Sequence, residues 1–422
     1  MKRTTLFALT FAVLSGCAVN NAPINSPLTG GKNAPIIDVS SDALADDSLF
    51  IGLAFSGGGH RASAFGHGML TALRDVGKSP SNPYGLLPHV RLVTGVSGGS
   101  VTAAHFGYFG PAGVNGFREK YLIQNAEKYM ANSALNPITI ARGLSVGANG
   151  RKTFARFLDE SLFKNATFGD LARRSDILTW INAADVANQT SFLFSPETFD
   201  ALCSDLSKLP ISEAVAASAA FPLVFSPIVL EAHTNQCNYT EPDWLTSARF
   251  NPEATSSLRA YGRVLESYSD PEKVKFVKLL DGGITDNFGT VALSVARAKA
   301  QNKYGPLTVE QAVKLKRLLF LVANAGTEAE EGWTQKQTGP GGISLAMSIV
   351  NSSMGSATRT AYDAMQLTLN AWHADVIEFR CSLSAAQVRK YIGSTNGWDC
   401  RDVKLFVSEV SFQGLERGMV AS

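Results

Sequence analysis

The residue most clearly suited to catalysis is Ser97, which lies in the motif G-V-S-G-G at residues 95–99. This is the G-x-S-x-G pattern of a nucleophile elbow, where a strained turn lifts the serine oxygen out of the edge of a sheet. The apolar run at residues 89–93 predicts a strand before the motif, and a helix is expected from about Gly98. A serine in this setting can attack a carbonyl carbon, so the motif predicts a nucleophile for acyl transfer.

A second candidate is the glycine-rich segment F-S-G-G-G-H-R-A at residues 55–62, between a predicted strand at 49–55 and a predicted helix at 62–74. Consecutive glycines expose backbone N–H groups, and a helix N-terminus favours negative charge there. The segment also fits G-x-G-x-x-A, a dinucleotide fingerprint. No acidic residue ends a second strand about twenty positions later, and no Gly-Lys-Ser/Thr follows, so neither that fingerprint nor a Walker A loop is supported.

A third candidate is Asp281, in the sequence D-G-G directly after the apolar run at residues 274–280. A carboxylate at this point is expected at the carboxyl edge of the sheet, where open α/β folds build their sites. Taken alone, an Asp-Gly pair is more typical of a turn or a helix cap. Its meaning therefore depends on the other two segments.

In this order, the three segments resemble the patatin-like phospholipase family, which carries G-G-G-x-R-G, then G-x-S-x-G, then D-G-G or D-G-A. Shorter stretches at residues 181–185, 217–222 and 286–289 are also similar to blocks of that family. The resemblance runs from about residue 49 to 330, with Ala62 where the family usually has glycine. It implies a three-layer α/β/α fold with a mainly parallel central sheet.

The resemblance also implies a lipid acyl hydrolase that cleaves carboxylic ester bonds of phospholipids or lysophospholipids through an acyl-enzyme. Ser97 would be the nucleophile and Asp281 the general base. Arg61 would hold the glycine loop or face the lipid phosphate. The oxyanion would be met by backbone amides of Gly57, Gly58 and Gly59. Phospholipase, lysophospholipase, esterase and thioesterase activities stay open, as does a non-enzymatic lipid-binding protein on the same fold.

A Ser-His-Asp triad is the alternative to a Ser–Asp dyad. In α/β hydrolases the histidine follows both serine and acid, and His373 alone does so here. It lies near the end of a long helical pattern with no turn signature, which is typical of a surface or capping residue. His60 lies within the glycine loop. The pattern therefore favours the dyad.

The first seventeen residues resemble the signal of a bacterial lipoprotein. Basic Lys2 and Arg3 precede an apolar run at residues 6–14, which is too short to span a bilayer. The sequence L-S-G-C then ends at Cys17, like a lipobox. The resemblance implies removal of residues 1–16 and acylation of Cys17.

Ala18, rather than an acidic residue, follows the lipobox, and the resemblance to bacterial lipoproteins then implies sorting to the outer membrane of the cell envelope. Residues 17–48 are rich in Asn, Pro, Ser, Gly and Asp and predict a flexible tether. No later segment is predicted to be transmembrane, since the best candidate, residues 211–230, contains a glutamate and two prolines.

Charge and composition limit the partners. The chain has 38 basic and 36 acidic residues, and removing residues 1–16 removes two basic ones, so the mature chain is neutral. This balance argues against nucleic acid as a partner. Membrane attachment is then expected from the lipid on Cys17, with acyl-ester lipids as substrates. No C-x-x-C or H-E-x-x-H motif occurs, and neither a metal nor another cofactor is predicted.

Four further cysteines suggest disulfides in an exported protein. Three pairings are possible, and the most local are favoured. An alternative is four free thiols. The favoured pairs are Cys203–Cys237 and Cys381–Cys400.

The remaining pattern predicts a catalytic domain at residues 49–330 and a helical extension at 331–422. Further strands are expected at 177–184 and 318–322, and residues 234–272 look like an irregular insertion. A long helix is predicted from apolar residues every three or four positions, and this helix either packs on the core or lines an acyl-chain channel. These residues are Ile343, Met347, Val350, Met354, Ala357, Ala361, Met365, Leu369 and Trp372.

Overall fold

A mixed sheet of eight strands is the framework of the chain. The computed structural model describes residues 21–34, 47–126, 153–222, 224–326 and 332–412. The strands are β1 (Leu49–Phe55), β2 (Val90–Val96), β3 (Leu178–Asp185), β4 (Thr190–Leu193), β5 (Ile228–Glu231), β6 (Phe276–Leu280), β7 (Arg317–Asn324) and β8 (Lys404–Ser411). Their spatial order is β5-β6-β3-β2-β1-β7-β8, and β4 pairs with β3.

Five neighbouring strands, β3, β2, β1, β7 and β8, run parallel to one another. The pairs β3–β4, β3–β6 and β5–β6 are antiparallel. Parallel strands need crossover connections, which explains why helices separate most of them in the chain. The mainly parallel sheet flanked by helices confirms the predicted fold class.

Helices cover both faces of the sheet. Those described are α1 (Gly59–Asp75), α2 (Gly98–Phe109), α3 (Phe154–Leu158), α4 (Phe168–Arg174), α5 (Pro196–Ala201), α6 (Ile211–Ser218), α7 (Asp243–Phe250), α8 (Ser256–Tyr268), α9 (Val291–Ala300), α10 (Val309–Lys314), α11 (Gly342–Cys381) and α12 (Ala385–Ile392).

Alternate residues of β1 explain the three layers. Ile51 and Leu53 belong to a core that includes residues of α1 and α2, whereas Phe50 belongs to the core on the opposite face. On that second face, the Phe50 ring meets the ring of Trp372 from α11 edge-on, with centroids 5.7 Å apart. A strand with both faces buried is apolar throughout, as the sequence of β1 is.

The two strands that carry the candidate nucleophile and acid reach the same sheet edge from opposite directions. β2 belongs to the parallel set and ends at Val96, just before Ser97. β6 is antiparallel to β3 and pairs with it only through Ala184 and Asp185, at the carboxyl end of β3. Asp281 follows β6 and therefore lies at this edge, although its strand is not part of the parallel set.

Two sequence-based expectations about the later part of the chain were wrong in part. Residues 234–272 are not irregular, because they contain α7 and the amphipathic α8, whose Tyr261 and Tyr268 are buried in the core. The extension at 331–422 is not purely helical, because β8 pairs with β7 along all eight residues. Its alternating half-buried pattern is typical of a strand.

The predicted tether at 17–48 also needs correction where it is described. Ile24 and Leu28 are buried, and their N–H groups donate to the carbonyl oxygens of Val229 and Cys203. Residues 21–34 therefore pack on the domain. Cys17 and residues 1–16 lie outside the described residues.

Two disulfides join cysteines that are 34 and 19 residues apart in the chain, and they are the local pairs favoured from the sequence. Cys203 pairs with Cys237, and Cys381 pairs with Cys400. The second connects the end of α11 to the segment before β8. Within the described ranges, no helix has both the length and the apolar character needed to cross a bilayer.

Candidate active site

Ser97 occupies a sharp turn between β2 and α2. Its φ of 53° and ψ of −127° are rare for a residue with a side chain and indicate local strain. A Cβ on Gly99 would lie 2.4 Å from the carbonyl oxygens of Phe55 and Ser56, and one on Gly95 would lie 2.7 Å from the Ala103 Cβ. Glycine is therefore required on both sides of the serine, which gives the G-x-S-x-G spacing a steric reason.

A buried serine holds the backbone of this turn. The Ser97 N–H donates to the Ser218 Oγ at 2.8 Å, and that hydroxyl donates to the Asn182 carbonyl oxygen at 2.6 Å. Ser218 is the last residue of α6 and lies in the stretch 217–222 noted in the sequence. The contact fixes the orientation of the elbow from the side of β3.

Ser97 and Asp281 are in direct contact. The Ser97 Oγ donates to the Asp281 Oδ2 at 2.6 Å, and the Gly283 N–H donates to the Asp281 Oδ1 at 2.9 Å. Both side chains are buried, with Ser97 only 5% exposed. Burial raises the pKa of Asp281 from its ordinary value to about 6, although the two hydrogen bonds lower it. Such a carboxylate is ionised at neutral pH and is basic enough to accept a proton.

The glycine loop lies against the nucleophile turn. A Cβ on Gly57 would be 3.3 Å from the Ser97 Cβ, and one on Gly98 would be 1.7 Å from the Gly59 carbonyl oxygen. Gly58 and Gly59 adopt positive φ values of 135° and 64°, which suit glycine. α1 begins at Gly59, so its N-terminus points free amides and a partial positive charge toward this region.

Gly57 does not fit its predicted part in an oxyanion hole. Its N–H donates to the Asn287 Oδ1 at 3.0 Å and is therefore occupied. Among the residues that the structure describes, no group accepts a hydrogen bond from the amides of Gly58 and Gly59. These two amides are the available donors for a developing oxyanion.

Arg61 is exposed and holds the loop. Its Nε donates to the Ala325 carbonyl oxygen at 3.1 Å, just beyond the end of β7. The Ala325 N–H in turn donates to the Ser56 Oγ at 2.8 Å. The sequence left open whether Arg61 holds the loop or faces a lipid phosphate. The observed contact with Ala325 holds the loop.

Asn287 is a site residue that the motif analysis did not single out. Its Oδ1 accepts from the Gly57 amide, and its Nδ2 donates to the Thr358 Oγ1 of α11 at 2.8 Å. It thus connects the glycine loop to a helix from the C-terminal part of the chain. Its place in the D-N-F-G block at residues 286–289 was the sequence signal that could have identified it. Its hydrogen-bond partners lie 230 and 71 residues away in the chain, so the block alone does not reveal them.

The neighbouring acid, Asp286, has a structural part. It is buried and accepts from the N–H groups of Phe288 and of Val291, the first residue of α9, and from the Thr290 hydroxyl. Burial raises its pKa, while these hydrogen bonds lower it. Its oxygens face these donors rather than Ser97.

The two histidines considered for a triad bond elsewhere. The His373 Nε2 lies 2.7 Å from the Val403 carbonyl oxygen, and the His60 Nε2 lies 2.8 Å from that of Leu122. In the described part of the chain, no histidine is hydrogen-bonded to Ser97 or Asp281. The same residues contain no cluster of three or more His, Cys, Asp or Glu side chains arranged to hold a metal ion.

The chain is similar to several known proteins. A family model described as patatin-like phospholipase matches residues 53–293, which is more than half of the chain. A stretch of 68 residues is 43% identical to Lysophospholipase 2 of Candida albicans, covering 16% of this chain and 11% of that protein.

Solved structures of a human protein are also similar. Human GIVD cytosolic phospholipase A2 matches 65% of this chain and 43% of its own, with 16% identity and a TM-score of 0.31. The same protein with methyl gamma-linolenyl fluorophosphonate and terbium chloride gives 16% identity and a TM-score of 0.30, over 65% of this chain and 41% of that one. The chain thus spans less than half of the length of these relatives.

Proposed function

Because the chain belongs to the patatin-like phospholipase family, we propose that it is a serine hydrolase acting on acyl esters of lipids. Its substrates are phospholipids or lysophospholipids, the classes named by the family and by the Candida albicans and human relatives. The observation that carries the proposal is the contact of 2.6 Å between the Ser97 hydroxyl and the buried Asp281 carboxylate.

The reaction begins with proton transfer within this pair. Asp281 accepts the hydroxyl proton as the Ser97 Oγ attacks the ester carbonyl carbon, and a tetrahedral intermediate forms. The alcohol, a lysolipid or glycerophospho group, leaves with the proton that Asp281 held. Water then attacks the acyl carbon as Asp281 accepts one of its protons. The bond from the acyl carbon to the Ser97 Oγ breaks, the proton returns from Asp281 to that oxygen, and the fatty acid is released. Asp281 therefore acts in both halves of the reaction.

The negative charge on the carbonyl oxygen is stabilised by the amides of Gly58 and Gly59 at the start of α1. Losing one donor of this kind typically costs about 2.7–4 kcal/mol of barrier. Asn287 occupies the Gly57 amide and holds the loop in this orientation. It is a positioning residue, because it has no contact with the reacting atoms.

The proposal is tested by labelling and product analysis. The wild-type protein is treated with a fluorophosphonate probe, and its products from defined phospholipids and lysophospholipids are identified by mass spectrometry. We expect a single adduct on Ser97 and free fatty acid as a product. Ser97→Ala, the matched control, should give neither. A wild-type protein that binds lipid but forms no adduct would support the rival function, a non-enzymatic lipid-binding protein.

We also propose that residues 1–16 are a lipoprotein signal and that Cys17 anchors the protein to the bacterial outer membrane. The support is the sequence alone: basic residues, an apolar run and L-S-G-C at the right spacing. Mass spectrometry of the N-terminal peptide should find an acylated Cys17. In fractionated bacterial cells, Cys17→Ser should reduce the share of the protein in the outer-membrane fraction. An N-terminal peptide of the wild type whose Cys17 carries no acyl group would contradict the anchor.

A further inference from the structure

The long helix α11 has two halves of different character. In the second half, buried residues recur every three or four positions and pack on the sheet; these are Ala361, Met365, Leu369, Trp372 and Val376. In the first half, no described side chain from residue 344 to 360 is buried. Leu345 is 46% exposed and Ile349 is 62% exposed. The predicted apolar stripe therefore continues along the helix, but the core that covers it does not.

The last turns of this first half lie on the catalytic segment. The Met354 Cε is 2.5 Å from the position that a Cβ on Gly283 would take, and Gly283 holds Asp281 through its N–H. Thr358 accepts from Asn287. Ile349 and Leu345 are thus about one and a half and two and a half helical turns before Met354, which lies beside Gly283, the residue that holds Asp281.

The charge pattern of this segment is unusual for a water-exposed helix. Residues 337–358 contain no Asp, Glu, Lys, Arg or His, and the flanking residues Lys336 and Arg359 are both basic and exposed. An exposed helix normally carries charged or polar side chains on its outer face, and here that face has no charge and includes Leu345 and Ile349. The exposed side chains that the structure describes along the helical part of this stretch are Leu345, Ile349, serines and one asparagine, so none carries a charge. Exposed apolar side chains between two basic residues match a phospholipid bilayer, whose acyl region accepts the apolar groups and whose phosphates face the basic ones.

We infer that residues 342–358 of α11 form a docking surface for a phospholipid bilayer. Leu345 and Ile349 insert among the lipids, and the helix then holds the site at the membrane where substrate esters lie. The inference rests on the proposed function, because a lipid surface is the source of the substrate. It assigns a part to a helix that lies outside the family-matched residues 53–293.

The test measures vesicle binding without the lipid anchor. All proteins carry Cys17→Ser, and sedimentation is followed with vesicles of phosphatidylcholine containing a minority of phosphatidylglycerol. Introducing Leu345→Glu and Ile349→Glu together should weaken vesicle binding, with an association constant lower by at least about tenfold, because two inserted apolar side chains become charged. The matched control is Leu367→Glu, on the same helix and 71% exposed, but beside the packed half. It should bind like the parent.

Three outcomes would overturn the inference. One is a parent protein that does not bind the vesicles, and another is an equal loss of binding from Leu367→Glu. The third is a double variant that binds vesicles as the parent does. If that variant also loses a dimer that the parent forms at high concentration in sedimentation velocity, the surface binds a second copy of the chain instead of a bilayer. Hydrolysis of a soluble short-chain ester by the parent is measured in parallel. Absence of that activity would count against the proposed function and would leave the binding comparison valid.

Discussion

Replacing Asp281 with Asn should remove activity and make the protein more stable at neutral and alkaline pH. The Asp281 carboxylate is buried, with a pKa of about 6 against 3.8 in its ordinary state. Each pKa unit corresponds to about 1.4 kcal/mol, so ionising this group in the folded protein costs about 3 kcal/mol of stability. Asparagine removes the charge, while its Oδ1 can still accept from the Gly283 amide and its Nδ2 can donate to the Ser97 Oγ.

The direction of the pH dependence follows from the same values. Between the unfolded and folded pKa values, the folded protein binds more protons than the unfolded chain, so the free energy of unfolding falls as pH rises. The contribution of Asp281 is complete below its unfolded pKa and is lost as pH rises through about 6. The advantage of Asp281→Asn should therefore be small near pH 4 and reach about 3 kcal/mol near pH 8.

Urea unfolding of the wild type and Asp281→Asn, followed by circular dichroism at several pH values, measures this difference. The matched control is Asp286→Asn. Asp286 is also buried with a raised pKa, but its oxygens accept from backbone amides, so an amide NH₂ there would face N–H donors. This control should be destabilised at every pH. A gain for Asp281→Asn that does not change with pH, or a loss near pH 8, would refute the assignment of a costly buried charge.

Three further predictions concern activity on a soluble ester. The kcat/KM of the wild type should fall tenfold per pH unit below about pH 6, because protonated Asp281 cannot accept the hydroxyl proton; a rate–pH profile that is flat down to pH 4 would contradict this. Asn287→Ala should lower kcat by about tenfold to a hundredfold with little change in KM. The Gly57 amide would lose its hydrogen-bond acceptor, and the glycine loop would no longer be held in position. Steady-state kinetics should give a much smaller effect for Thr358→Val, which removes only the outer partner of Asn287. His373→Ala should retain activity, because the His373 imidazole is hydrogen-bonded to the Val403 carbonyl and not to the dyad. Complete loss of activity in a folded His373→Ala variant would contradict the Ser–Asp mechanism.

The parts of the site that sequence could predict are those encoded in contiguous residues. Ser97 is positioned by glycines two residues to either side, and Asp281 by the strand before it and the Gly283 amide after it. Each of these arrangements is a strand, a short turn and a helical segment, so the pattern of residue types specifies the local geometry.

The parts that sequence could not predict depend on contacts between distant segments. The bond between Gly57 and Asn287 spans 230 residues, and it reverses the expectation that the Gly57 amide is free. The antiparallel direction of β6 likewise depends on where the chain returns to the sheet. For α8, the signal was present, since Leu258, Tyr261, Leu265 and Tyr268 recur at helical spacing, but the polar residues before it obscured the period.

The addition of β8 at the sheet edge has a consequence for how the chain folds. β7 lies between β1 and β8, and both β7 and β8 fall outside the family-matched residues 53–293. The strand that leads into the glycine loop is therefore flanked on one side by segments made late in synthesis. A nascent chain that has not reached residue 411 exposes the long apolar edge of β1 or β7, which is a template for aggregation. The pairing of β1 with β7 joins segments far apart in the chain, and pairing of this kind forms slowly. A chain truncated before β8 should therefore aggregate when it is expressed, and less of it should be recovered in the soluble fraction than of the full chain.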